Sequence, residues 1–401
     1  MNTTAAAGAP SSARVAQAAL TAPRTRGIAW PTWACFAAPI CIATGLYWDI
    51  SWHETIGRDT FWTPAHLLIQ FGAVLAGAAS LWMIARTTFG RDTRAAQLRD
   101  ASVTVLGLRG PLGAFVCGWG GGAMITSAPF DDWWHNAYGL DVKIISPPHV
   151  LLALGIAGII WGSTLLAVSE MNRADHALRI RLRNMVLCLG GFLVIQEMTL
   201  RLEQTNKVLL HSASSYVAIS IGLLFILEAI ARVSGHHWAR TIVTGVYSAF
   251  VLLMLWILPL FPAQPKLGPV YHNLTHMVPL PFPLLLVVPA FVLDLLCPRW
   301  KNAGKWQQAL IGGTVFLAVL IAVEWPFATF LMSPHAANWF FHHDNFPYFA
   351  PPDAPTVRHF FVAAEDSARQ FWTAMAVAFA ASIVSLRIGI TWGNWMSRLR
   401  R

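Results

Sequence analysis

Charge is scarce in this chain. Only 12% of its 401 residues are Asp, Glu, Lys or Arg, against about 25% in a soluble protein. With 56% hydrophobic residues, a large soluble core is excluded and a membrane protein is indicated. Cysteine is sparse too. Cys35, Cys41, Cys117, Cys188 and Cys297 all sit in or at the ends of apolar runs, and none forms a CxxC pair. They read as small core residues, not as disulfides or thiolate ligands. No long alternating pattern of a β-protein appears, and helices are the open-ended way to satisfy backbone groups in lipid. There is no nucleophile elbow, P-loop or haem-attachment motif. Gly120–Gly122 in "CGWGGGAM" follows no predicted strand, so it reads as close helix packing or a loosened helix.

Apolar runs are what the chain does have. A spanning helix needs about 20 mostly apolar residues, and the sequence offers them near 29–48, 62–86, 110–130, 147–168, 184–202, 208–231, 240–261, 281–298, 308–332 and 370–391. The expected fold is an all-α, polytopic transmembrane bundle of about ten spans. Residues 1–28 form a disordered or interfacial arm with a poor apolar core. Residues 29–168 hold four spans, and 169–401 the remaining six with a long outer aromatic loop at 333–369. The nineteen tryptophans suit bilayer interfaces. Both termini and the loops near 87–109, 169–183, 232–240 and 299–307 fall on one face with 21 of the 28 Lys and Arg. The positive-inside rule places that face in the cytoplasm of a bacterial-type inner membrane. The net charge of +9 is this bias, so the bilayer is the expected partner and nucleic acid is not.

Histidine divides the other way. Only His176, His236 and His237 of the fourteen lie on the basic face. Two outer loops repeat one pattern, "DISWHETIGRDTFWTPAHLL" and "DDWWHNAYGLDVKIISPPHVLL". In each, an Asp precedes a Trp-His histidine by four (Asp49 and His53; Asp131 and His135). Gly follows that histidine by four (Gly57, Gly139) and Asp by six (Asp59, Asp141). A proline then opens the next helix beside a second histidine, His66 or His149. The pattern predicts internally repeated helical hairpins. Asp and His four apart meet on one helical turn. Two imidazoles and a carboxylate with open positions suit copper, non-haem iron or zinc. The alternative is a pair of interfacial loops capped by Asp and anchored by Trp.

The first hairpin resembles the C subunit of particulate methane monooxygenase and ammonia monooxygenase, the copper membrane monooxygenases. That subunit carries Asp, His four later and His thirteen after that, in a stretch similar to "WH…RDTDFTPSH". Here Asp49, Trp52-His53, "RDTFWTPAH" and His66 keep the spacing, with "DTFW" in place of "DTDF". The resemblance covers about 20 residues. It implies copper ligation by Asp49, His53 and His66, and a multi-subunit complex.

Other outer candidates are weaker in pattern. Glu197 and His211 bound a third hairpin, for which a helix-end salt bridge with Arg201 is an equal reading. His272 and His276 lie four apart ahead of a proline cluster that argues for a broken or re-entrant segment. His335, His342, His343, Asp344 and His359 occupy the aromatic loop, a lid or a partner-binding loop. Asp294 and Glu324 fall within spans as proton relays or polar helix contacts. The leading expectation is a copper-dependent membrane monooxygenase-like oxidoreductase, with iron as the alternative metal. Its partners would be additional membrane subunits or a second copy. Asp131, His135 and His149 would form a second or completing ligand set. The competing expectations are a metal- or proton-coupled transporter, a bis-histidine haem carrier, or a structural or assembly subunit.

Overall fold

The computed structural model describes residues 27–57, 60–139, 146–205, 209–266, 273–342, 365 and 367–401. The chain is an all-α bundle. Seven of its helical segments are long and apolar enough to cross a membrane: Trp30–Thr55, Pro64–Phe89, Pro147–Met171, Ala213–Ser234, Ala239–Leu260, Lys305–Leu331 and Ala368–Met396. The N-terminal arm over 1–26 lies outside the described residues.

Four long helices build the N-terminal half. They are α1 (Trp30–Thr55), α2 (Pro64–Phe89), α4 (Leu112–Tyr138) and α5 (Pro147–Met171). A proline lies in the first turn of α1, α2 and α5, where a missing N–H costs nothing. Between α2 and α4 lie a short helix α3 (Thr93–Asp100) and a two-stranded hairpin, β1 (Val103–Val105) with β2 (Leu108–Gly110). Small residues let these helices approach closely. A Cβ on Gly45 of α1 would stand 2.9 Å from the Ala65 carbonyl of α2, and one on Gly120 of α4 would stand 2.6 Å from the Gly155 carbonyl of α5. Gly120 and Gly121 of α4 thus serve close helix packing, while Gly122 faces open space.

The C-terminal half is less regular. It holds α6 (His176–Thr199), α7 (Ala213–Ser220), α8 (Leu223–Ser234), α9 (Ala239–Ile257), α10 (Val287–Leu296), α11 (Lys305–Leu331) and α12 (Ala368–Met396). The apolar run expected as one helix near 208–231 bends between α7 and α8 at Gly222, whose φ is +92°. Glu197 Oε1 fills the space a Cβ there would need, 2.5 Å away. The run expected as a span near 281–298 is helical only over the ten residues of α10. Pro279, Pro281 and Pro283 remove N–H donors and hold their neighbours extended. The largely buried stretch 277–286 therefore enters the bundle without helical hydrogen bonds.

Backbone groups buried this way need partners, and side chains of other helices supply them. Leu284 N–H donates to Tyr247 Oη at 3.1 Å and Leu285 N–H to Glu324 Oε2 at 2.9 Å. Val278 is held at both its N–H and its carbonyl by Thr55 and Ser51 of α1. Nearer the basic face, Arg240 joins Asp294 at 2.8 Å and also contacts Glu228, and all three are buried. Asp294 further accepts from Thr241 N–H and Oγ1. Asp294 is thus a polar helix contact, as one of its two expected readings had it.

Candidate metal centre

The first hairpin brings its three expected ligands together. Asp49 and His53 share one face of the last turns of α1, and His66 is the third residue of α2. Asp49 Oδ2 lies 3.8 Å from His53 Nε2, and Asp49 Oδ1 lies 3.1 Å from His66 Nε2. One donor atom from each falls within 4.8 Å of the other two. Among the described residues, this is the only group of three or more such side chains so arranged. Gly57 makes the exit from α1 with φ of +74°, a conformation that favours glycine.

Why α1 and α2 bring the donors to one point is set one turn lower. Gly45 precedes Asp49 by four residues and abuts Ala65, the neighbour of His66. The helices therefore touch backbone to backbone just beneath the ligands. The side chains grade from Asp49, 15% exposed, through His66 at 26%, to His53 at 50%. The site is anchored in protein at the carboxylate and open at His53.

Hydrogen bonding fixes the His66 ring. Its Nδ1 lies 3.1 Å from the Thr60 carbonyl. A carbonyl only accepts, so Nδ1 carries the proton and Nε2 of the neutral ring presents a lone pair. That lone pair faces Asp49 Oδ1, which is fully buried and has no hydrogen bond. Two acceptors 3.1 Å apart repel unless a cation or a second ring proton lies between them. A backbone carbonyl fixing the far nitrogen is also how metal-bound histidines are oriented.

The second hairpin repeats the layout more loosely. Asp131 Oδ1 lies 3.7 Å from His135 Nε2 and 3.6 Å from His149 Nε2. Gly139 leaves α4 with φ of +89°, the counterpart of Gly57. His149, like His66, is the third residue of its helix. Asp131 Oδ1 is again buried and without a hydrogen bond. The nearest backbone-to-backbone glycine contact between α4 and α5, Gly155 on the Met124 nitrogen, lies seven residues before Asp131, roughly 10 Å at 1.5 Å per residue. The helix ends are correspondingly less constrained.

The remaining candidates go elsewhere. Glu197 accepts from Arg201 at 2.7 Å, and Arg201 also donates to the Ile221 carbonyl at the α7–α8 bend. His211 Nε2 lies 3.0 Å from both the Trp325 carbonyl and Thr329 Oγ1. Both therefore serve helix packing. His276 is exposed, with Nδ1 2.9 Å from Thr275 Oγ1. His342 has φ of +47° and closes a turn on the Asn338 carbonyl. His272, His343, Asp344, His359, Asp59 and Asp141 lie outside the described residues. The described start of the aromatic loop packs Trp339, Phe340 and Phe341 on Trp256, Phe282 and Phe330. Sequence reading missed Ser51 and Thr55, small polar residues of a kind common in any helix. No family model, curated protein or solved structure matches the chain.

Proposed function

We propose that the chain is a metal-dependent membrane oxidoreductase, monooxygenase-like, acting on a small apolar substrate at its non-cytoplasmic face. Copper is the favoured metal and iron the alternative. The observation that carries this reading is the convergence of Asp49, His53 and His66. Three donors, two imidazole and one carboxylate, suit a redox metal with open coordination positions. The resemblance of "WHETIGRDTFWTPAH" to the copper membrane monooxygenases points the same way.

A redox metal held there supplies the one-electron chemistry that dioxygen activation needs. The protein's part is positional. Asp49 offers negative charge from its buried carboxylate. Thr60 holds the His66 ring with Nε2 inward. Half-exposed His53 leaves the open side from which dioxygen and substrate arrive. Phe61 and Trp62, exposed beside the site, offer an apolar approach from lipid. Asp131, His135 and His149 form a second set of ligands.

The same reading orders the membrane topology. The helices α4 and α6 cross alongside the seven more apolar segments. The stretch 273–299 enters the bundle and leaves through α10, completing ten passages with both termini cytoplasmic. The two hairpins then share the outer face as copies of one repeated unit. A further membrane subunit, or a second copy, with an external electron donor completes the assembly.

A second reading is favoured by one observation. A broken segment whose backbone meets Glu324 deep in the bundle also suits an ion-coupled transporter. Oxygen uptake by copper-loaded protein in lipid, given a reductant and a small apolar substrate, separates the two. The oxidoreductase consumes oxygen, and Asp49→Asn abolishes the uptake. Metal flux into sealed vesicles without oxygen use supports the transporter instead.

A further inference from the structure

The metal-ligand face of α1 has an opposite side, and that side is gripped. At 100° per residue, Asp49 and His53 fall on one face, while Ser51 and Thr55 fall roughly opposite. Ser51 and Thr55 are buried. Ser51 Oγ donates to the Val278 carbonyl at 2.5 Å, and Val278 N–H donates to Thr55 Oγ1 at 2.8 Å. The Thr55 hydroxyl in turn donates to the Ser51 carbonyl at 2.6 Å. A third bond closes the end of the helix, from Lys266 N–H to the Ile56 carbonyl at 3.0 Å.

These partners belong to one structure. Met277 N–H donates to the Phe261 carbonyl and Ala263 N–H to the Thr275 carbonyl, and Pro262 bridges His276 in antiparallel register. Residues 261–263 and 275–277 thus pair as the core of two arms, which run on to Lys266 and Val278. One arm holds the α1 terminus through Lys266, and the other holds its last two turns through Val278. Beyond Val278 the chain is fastened again where Tyr247 and Glu324 take the Leu284 and Leu285 N–H groups.

We propose that this paired-arm clasp sets the geometry of the metal site, with Ser51 and Thr55 as its positioning residues. The inference rests on the metal reading of Asp49, His53 and His66. The carbonyl groups of a helix's last turn lack intrahelical N–H donors, and the turn frays. His53 sits in that turn and is half exposed. The clasp fixes the turn from behind, and the Asp49–His53 pair keeps its orientation toward His66. The second hairpin shows no such grip on α4 among the described residues, and its ligand set is the looser one.

The test is copper(II) binding and electron paramagnetic resonance on full-length protein in lipid nanodiscs. Thr55→Val keeps the shape and removes the hydroxyl. Lys266→Pro removes one exposed N–H donor and leaves the core intact, so it is informative even if Thr55→Val fails to fold. The clasp predicts roughly tenfold weaker copper binding for each, the lower end of what loss of an outer hydrogen-bond partner costs a metal site. It also predicts an altered copper hyperfine splitting, with both restored in Thr55→Ser. Wild-type affinity and spectrum in Thr55→Val and Lys266→Pro overturn the clasp while the metal site stands. Unchanged copper content in His53→Ala overturns the metal site itself, and the clasp's role with it.

Discussion

The two Asp–His hairpins share one residue pattern and differ in how closely it is drawn together. In the first, Gly45 lets α1 and α2 touch one turn below the ligands, the paired arms hold α1 from behind, and Asp49, His53 and His66 converge. In the second, the glycine contact lies about two turns below Asp131, and His149 stands 3.6 Å from Asp131 where His66 stands 3.1 Å from Asp49. The ligand spacing names the candidates, but the backbone beneath them decides how tightly they close. Two sites of unequal affinity are the expected result, the first being the tighter.

Removing a ligand breaks the comparison most severely. His66→Ala should weaken metal binding at the first hairpin by well over the ~10–100-fold that loss of an outer hydrogen-bond partner costs, leaving the second set unaltered. Titration with copper in lipid checks this. The same change at His149 should remove only the weaker class of sites. Spreading the helices comes next. Gly45→Ala places a Cβ 2.9 Å from the Ala65 carbonyl, which should destabilise the fold by about 1–3 kcal/mol and weaken the first site. Gly120→Ala should cost similar stability, read by thermal unfolding in lipid, yet leave copper binding at the second site nearly unchanged. A smaller effect is expected at the exits. Gly139→Ala, at φ of +89°, should cost about 1–3 kcal/mol of local stability and alter the second site alone. Mildest is pH. Metal binding displaces protons from imidazole, so both sites should lose copper as pH falls, the second before the first.

Much of this was legible in the sequence, because the relevant signals are local. Apolar length and low charge gave the helical membrane class. The spacing of Asp49, His53 and His66 carried its own geometry, since i and i+4 share a turn and Pro64 starts a helix. The prolines at 279, 281 and 283 announced a broken segment, although the length of the run still suggested a span. What stayed hidden depends on distant partners. Nothing near Ser51 or Thr55 indicates that Val278 lies against them, 227 and 223 residues away. The Glu228–Arg240–Asp294 contact joins three helices, and only Asp294 stood out as an acid in an apolar run. Gly222 and Glu197 likewise explain each other only once α6 meets the α7–α8 bend.

The most direct measurement is the metal content of full-length protein in native-like lipid, comparing wild type with His53→Ala and His135→Ala. The account predicts bound copper in the wild type, loss of the tightly held ion in His53→Ala, and loss of only the weakly held fraction in His135→Ala. Equal metal in all three proteins would contradict it and leave a helical bundle whose hairpin histidines serve packing alone.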